Sequence, residues 1–382
     1  MDLRPTWVEV SLGALRHNFR TIRDHVAPEA TVCAVVKADA YGHGAVGCAR
    51  ALEAAGVQWF GVTSTGEGVA LRDAGIRGRI LLMTGFWPGE EEAVVGQRLT
   101  PAVWDRSHIQ LLEGAAAKCG TAEPVPVHLK VDTGMARLGI NPADLPPFAK
   151  FLGSAKHVSL EGVFTHIASS EIVDAPDVEA QITRFDQALA TLSQHGLSPA
   201  VVHMANSAAI ATRPRTWKSL VRPGISLYGY YLPFTSVNGR IADASLGLPV
   251  KPALSWKTRI LSLRDVAARQ PLGYNGAYVT QAPARIAALP VGYADGLSRK
   301  LSSRGRVIVR DAYAAMVGNI SMDLTLIDVT GIPGVEVGDE VILIGATGTC
   351  SIAAWEHADL AMTIPYEVLT GLSKRLPRRY VE

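Results

Sequence analysis

The feature that most limits what this chain can become is the spacing of its apolar runs. Short runs occur near residues 32–36, 59–62, 79–83, 101–103, 125–131, 158–165, 200–204 and 219–228, and each but the last is followed by a helical pattern, clearest over 45–55, 108–118 and 178–195. A run such as Val32-Cys33-Ala34-Val35-Val36 does not alternate with polar residues. Both faces of its strand must therefore be covered, as in a parallel sheet. About eight such strand and helix pairs in succession are what a (β/α)8 barrel requires.

After about residue 240 the pattern changes. Short alternating strands over 257–263, 284–289, 306–309 and 340–344 are separated by Gly, Pro and Asp, which predicts a mostly β domain. The expected division is a barrel over 11–240 and a β domain over 241–382. Thr6-Trp7-Val8-Glu9-Val10 alternates at period two and precedes a helix that Ser11 can cap, so the N-terminal strand within 1–10 is expected to join the β domain. With 382 residues and 48% hydrophobic content, the chain can bury a core for both domains.

Composition excludes other classes. The formal net charge is +2 and no Lys/Arg cluster is interleaved with aromatics, which argues against a nucleic-acid partner. Met1 to Pro5 lacks the apolar core of a signal peptide, and no run of about eighteen uninterrupted apolar residues follows; a cytoplasmic protein without a membrane span is expected. Cys33, Cys48, Cys119 and Cys350 show neither C-x-x-C spacing nor a zinc pattern, so they read as reduced core residues and no metal is expected.

At the end of the first barrel strand stands Lys37, followed by Ala38-Asp39-Ala40-Tyr41-Gly42-His43-Gly44. A lysine presented by a buried strand loses solvation, which favours the neutral amine that condenses with an aldehyde. Gly42-His43-Gly44-Ala45-Val46-Gly47 also fits a dinucleotide G-x-G-x-x-G pattern, but that site wants an acidic residue closing the second strand. The second strand closes on Thr63-Ser64-Thr65 instead, with Glu67 in the next helical pattern. Further polar groups recur at predicted strand ends: Lys130 with Asp132, Thr165 with His166, His203 with Asn206 and Ser207, and Arg222 with Gly224. In a barrel these ends share the face where function gathers.

The segment from Ala34 to Gly44 resembles the pyridoxal-phosphate lysine motif of the alanine racemases, enzymes of fold type III. So do Val127 to Gly139, Thr165-His166, Ala205 to Ala209, Arg222 to Gly229, Gly273-Tyr274-Asn275-Gly276, Gly292 to Gly296 and Gly318 to Asp323, and the resemblance covers nearly the whole chain. It implies that Lys37 holds pyridoxal 5'-phosphate as a Schiff base and serves one face of Cα, with Tyr274 serving the other. His166 and Arg222 would stand behind the tyrosine, and Arg222 would also face the pyridine nitrogen and disfavour its protonation. Phosphate would be met by Ser207, Gly224 and Ile225 with the hydroxyls of Tyr41 and Tyr366. Arg137 would meet the substrate carboxylate, and Tyr293 and Met322 would surround the substrate. Lys130, carbamylated in many family members, would orient Arg137; Asp323 belongs to the outer corridor.

The activity so implied interconverts L-alanine and D-alanine, for supply of D-alanine to peptidoglycan precursors, in a homodimer with shared active sites. Two enzymatic alternatives have a similar layout: a racemase for serine or another amino acid, and an amino-acid decarboxylase, which would place an acid where Arg222 stands. A pyridoxal-phosphate carrier protein would lack the β domain.

Overall fold

The computed structural model describes residues 4–242 and 244–382; residues 1–3, part of the N-terminal segment read above, lie outside the described residues. The chain divides into two compact units. One contains residues 15–40 and 45–251, and the other the segment ending at Ala14, Tyr41–Gly44 and Pro252–Glu382. Assignment of Tyr41–Gly44 to the second unit is not visible in the periodicity.

Strand β1 (Thr6–Ser11) belongs to the β unit. The first unit contains β2 (Thr31–Val35), β3 (Trp59–Val62), β4 (Arg79–Leu82), β5 (Thr100–Val103), β6 (Val125–Lys130), β7 (Val158–Phe164), β8 (Val201–His203) and β9 (Leu220–Val221). Neighbours in sequence pair in parallel from β2 to β8, and β9 returns beside β2. Backbone bonds Ser219 N to Val202 O (3.1 Å) and Arg222 N to Ala205 O (3.0 Å) join the last two strands and close the barrel. Every residue of β3 and β5 is buried, which is why these strands read as unbroken apolar runs.

The eighth run is shorter than its periodicity predicts. Only Leu220–Val221 is strand, and Ile225–Tyr228 forms a 3-10 turn. Pro223 has no N–H to continue a ladder. Helices Ala45–Ala54, Arg106–Cys119 and Pro176–Gln194 follow their strands as expected. Cys33, Cys48 and Cys350 are buried, but Cys119 is exposed at its helix end, which corrects the reading of all four cysteines as core.

In the β unit, β1 pairs antiparallel with Leu254–Arg259 and parallel with Arg378–Val381. Alternate burial explains the period-two pattern of Leu254–Arg259, whereas in β1 Thr6, Trp7 and Val8 are all buried and only Val8 to Ser11 alternates. The predicted strand over 257–263 is two strands, Leu254–Arg259 and Ser262–Val266, because apolar Ile260 and Leu261 continue the pattern through a break. Ser11 caps the following helix as expected, its Oγ accepting from Ala14 N at 3.1 Å. Among the described residues no helix is long and apolar enough to cross a membrane.

Candidate active site

The C-terminal ends of the barrel strands gather Lys37, Lys130, His166, Ser207 and Arg222. Val36 continues β2 by donating to Gly61 O at 2.9 Å, and the chain then turns sharply. Ala38, Asp39, Ala40 and Tyr41 all have φ between 51° and 54°. A left-handed turn of four non-glycine residues costs roughly 1–2 kcal/mol each, so other bonds must hold it. Glu67 supplies one, its Oε1 accepting from Ala38 N at 2.6 Å, and is itself anchored by Oε2 accepting from Thr63 N at 2.9 Å. Asp39 Oδ1 accepts from Ala45 N at 2.8 Å, tying the turn to the next helix.

This turn leaves Lys37 half-buried at the strand end. Burial lowers its pKa, Arg137 adds to that effect and Glu67 opposes it. Lys130, the last residue of β6, donates to Met83 O at 3.3 Å and lies 5.3 Å from the centre of the Phe164 ring. Burial, followed by the positive fields of Arg222, Arg137 and Lys37, brings its pKa down to about 8. Asp132 Oδ1 meanwhile accepts from Gly134 N (2.9 Å) and Ala136 N (3.1 Å), shaping the exposed loop that carries Arg137.

Arg222 is buried behind these groups. Its Nη1 meets His203 Nδ1 at 2.7 Å, while Nη2 donates to Thr165 O at 2.8 Å and Met204 O at 3.0 Å. Burial lowers its pKa to about 10, so it remains a cation at neutral pH. The same cation, with Arg137, Lys130 and Lys37, reinforces burial in pushing His166 down to about 3. His166 is therefore neutral. Its backbone is held by Gln181, whose Nε2 donates to His166 O at 3.1 Å and to Thr133 Oγ1 at the same distance.

Ser207 opens the short helix Ser207–Thr212, which Asn206 caps through Ala209 N at 3.1 Å. Ser207 Oγ accepts from Gly224 N at 2.9 Å and Ser226 N at 3.3 Å, bringing Gly224 and Ile225 to the same place. The structure thus collects Lys37, Lys130, Arg137, His166, Ser207, Arg222, Gly224 and Ile225 on one unit. Sequence reasoning missed Phe164, which carries Lys130 and Arg222 each 5.3 Å from its ring centre. Phe164 closes β7, and nothing in a buried strand-end phenylalanine signals that role.

The remaining candidates lie in the β unit. Tyr41 and Tyr366 have ring centres 5.9 Å apart, and burial with the neighbouring Tyr366 raises the Tyr41 pKa. Tyr274 sits in a tight turn between Gly273 (φ 68°) and Asn275 (φ 61°), with its carbonyl accepting from Asn319 Nδ2 at 3.3 Å. Tyr293 is placed by its N–H to Ser321 O at 3.0 Å, and the next residue, Ala294, donates to Met322 O at 3.0 Å. In the single chain Tyr274 is 70% exposed, Met322 54% and Tyr293 45%. Asp323 pairs with Arg375 at 2.8 Å, and Arg375 also meets the fully buried Asp295.

The family models for the alanine racemase N-terminal and C-terminal domains match residues 10–232 and 253–380. An alanine racemase from Syntrophobacter fumaroxidans is 42% identical over 97% of this chain and 96% of its own length. One from Symbiobacterium thermophilum is 42% identical over 100% and 99%. Among solved structures, alanine racemase from Streptomyces coelicolor A3(2) superposes with a TM-score of 0.90 at 35% identity, covering 100% of this chain and 99% of that one. The structure from Bartonella henselae, which has covalently bound pyridoxal phosphate, gives 0.84 at 31% identity and covers 99% of each. With both halves matched in order, and the parallel barrel and β unit shared with solved relatives, this chain belongs to the alanine racemase family.

Proposed function

We propose that the chain interconverts L-alanine and D-alanine with pyridoxal 5'-phosphate held on Lys37, and with Lys37 and Tyr274 as the two proton-transferring groups. The observation that carries this reading is the depressed amine of Lys37, presented at a barrel strand end by a left-handed turn. A lowered pKa leaves more of the neutral amine, the form that can attack an aldehyde or take a proton from carbon. When bound, pyridoxal phosphate withdraws electrons from the substrate Cα and acidifies its proton.

The chain's own residues fit that group. Ser207 with Gly224 and Ile225 would hold its phosphate, and the family resemblance adds the hydroxyls of Tyr41 and Tyr366. Arg222, fixed by three hydrogen bonds, would serve the pyridine nitrogen as a permanent donor. An acid there would be the mark of the decarboxylase alternative. Arg137 binds the substrate carboxylate through its planar fork, and Tyr293 and Met322 limit side-chain room. Lys130, with its pKa near 8, has ~10% neutral amine at pH 7, the form that takes up carbon dioxide. Carbamylation would replace one cation in a cluster of four with an anion that can orient Arg137.

Tyr274 needs a site that covers it, and large apolar side chains as exposed as Tyr274, Tyr293 and Met322 favour burial by a second copy. The working form is accordingly a cytoplasmic homodimer in which Tyr274 from one copy serves Lys37 of the other. The barrel over 11–240 holds the cofactor and the β domain over 241–382, with the N-terminal strand within 1–10, supplies the tyrosine. A chiral assay of product from L-alanine, with and without added cofactor, tests the activity. Borohydride reduction and peptide mapping of the loaded protein should place the pyridoxyl label on Lys37. D-Alanine production that is independent of the cofactor, or a label confined to Lys130, would overturn the assignment.

A further inference from the structure

Behind Arg222 a line of polar side chains runs through the barrel interior toward the N-terminal ends of the strands. His203 Nδ1 meets Arg222 Nη1 at 2.7 Å, and His203 Nε2 meets His128 Nδ1 at 2.8 Å. Among the described residues His128 Nε2 makes no hydrogen bond within the usual geometry, and the carboxylate that faces it is Glu161, with Oε2 at 3.5 Å. Glu161 is also paired with Arg79, the first residue of β4. Glu161 and Arg79 line a cleft with Arg72, Thr100 and Val125, the last two being the first residues of their strands. Both histidines are completely buried.

The line is built rather than incidental. Phe164 stacks on His203 with ring planes 4° apart, Trp59 packs on His128 with centroids 5.3 Å apart, and Arg79 lies 4.8 Å from the Trp59 ring centre. Gly162 makes the room: a Cβ there would stand 2.6 Å from the His128 ring. These contacts keep water away from groups that must satisfy one another.

Donor chemistry gives the line one direction. A guanidinium only donates, so His203 Nδ1 must accept and its proton lies on Nε2. His128 Nδ1 then accepts, and its own proton lies on Nε2, facing a carboxylate. Protonating either histidine would set two donors against each other, and burial already disfavours both charged forms.

We propose that Glu161, at the far end of this line from the cofactor-facing side of Arg222, is a positioning residue: as the terminal acceptor it holds His128 and His203 in the Nε2-protonated form and so keeps an acceptor against Arg222. The inference rests on the reading of Arg222 as the cofactor's partner. It adds that the guanidinium is aimed from the opposite end of the barrel. Without Glu161, the His128 N–H has no acceptor in a buried site, and the ring gains by turning away from His203.

The test uses the cofactor-loaded protein with 15N-labelled histidine. In the wild type, NMR should show His128 and His203 neutral, with protonated Nε2 and bare Nδ1. Glu161→Met should move the His128 and His203 nitrogen signals and lower kcat roughly 3- to 30-fold, the scale of coupling through a packed network, with KM for alanine little changed. Glu161→Gln, which retains a carbonyl acceptor, should restore both. A proton on Nδ1 of either wild-type histidine overturns the proposal even if no variant folds. So do His203 signals or a kcat that Glu161→Met leaves at wild-type values, or failure of Glu161→Gln to restore them. Wild-type tautomers as expected without racemisation of alanine would instead count against the proposed function alone.

Discussion

Lys37, Lys130, Arg137 and Arg222 are four cationic groups near one neutral histidine, and their mutual fields explain the chemistry open to each. His166 is held neutral, chiefly by burial and then by Arg222. Its folded pKa of about 3 lies below the ordinary 6.5, so the unfolded chain binds the proton first. Stability present above pH 6.5 should drain as pH falls toward 3, by up to ~1.4 kcal/mol per pH unit for one group. Urea midpoints at pH 7.5 and pH 5 for the wild type and His166→Gln would measure it; equal declines in the two proteins would sink the assignment. A second expectation concerns the two faces of Cα. Tyr274→Phe should still load cofactor but lose roughly 10²- to 10⁴-fold in racemisation, the range of one general acid or base. In deuterated solvent it should exchange the Cα proton of one alanine enantiomer much faster than the other. Equal residual exchange would mean that another group or water serves the second face.

The left-handed turn after β2 shows how an element, rather than a residue, presents the lysine. Its next residue, Gly42, has φ +83°, and a Cβ there would stand 2.1 Å from Leu369 O. Gly56 has φ +104° with open space around it. Gly42→Ala should therefore cost roughly 3 kcal/mol, combining backbone strain with overpacking, and Gly56→Ala only about 1 kcal/mol. Denaturant midpoints of the two variants compare these costs directly, and equal losses would show that the contact with Leu369 does not bind the turn. Elements of this kind were only partly legible in the sequence. The runs Val32–Val35 and Trp59–Val62 were readable because burial on both faces leaves no polar residue in them. The overshoot past Val221 and the merging of Leu254–Arg259 with Ser262–Val266 share one cause: apolar character continues where the ladder stops.

At the scale of the whole molecule, the proposed shared site makes a prediction about pairs of chains. Inactive Lys37→Ala and Tyr274→Ala proteins, mixed under conditions that exchange subunits, should form heterodimers with one intact and one doubly damaged site. With random exchange about half the dimers are mixed, so activity should return to roughly a quarter of the wild-type value per site. No recovery despite demonstrated exchange would mean that Tyr274 acts on its own chain's lysine or not at all. By itself the sequence determined the strand and helix alternation, the β-rich second half and the strand-end lysine, arginine and histidines, because these depend on local periodicity and on residue type. Only the tertiary structure decided that Glu67 holds the turn of Lys37, that Phe164 meets both Lys130 and Arg222, and that His203, His128 and Glu161 form one line. Those relations join residues 29 to 75 positions apart, and a hydrogen bond or ring contact between such residues leaves no periodic trace in the chain.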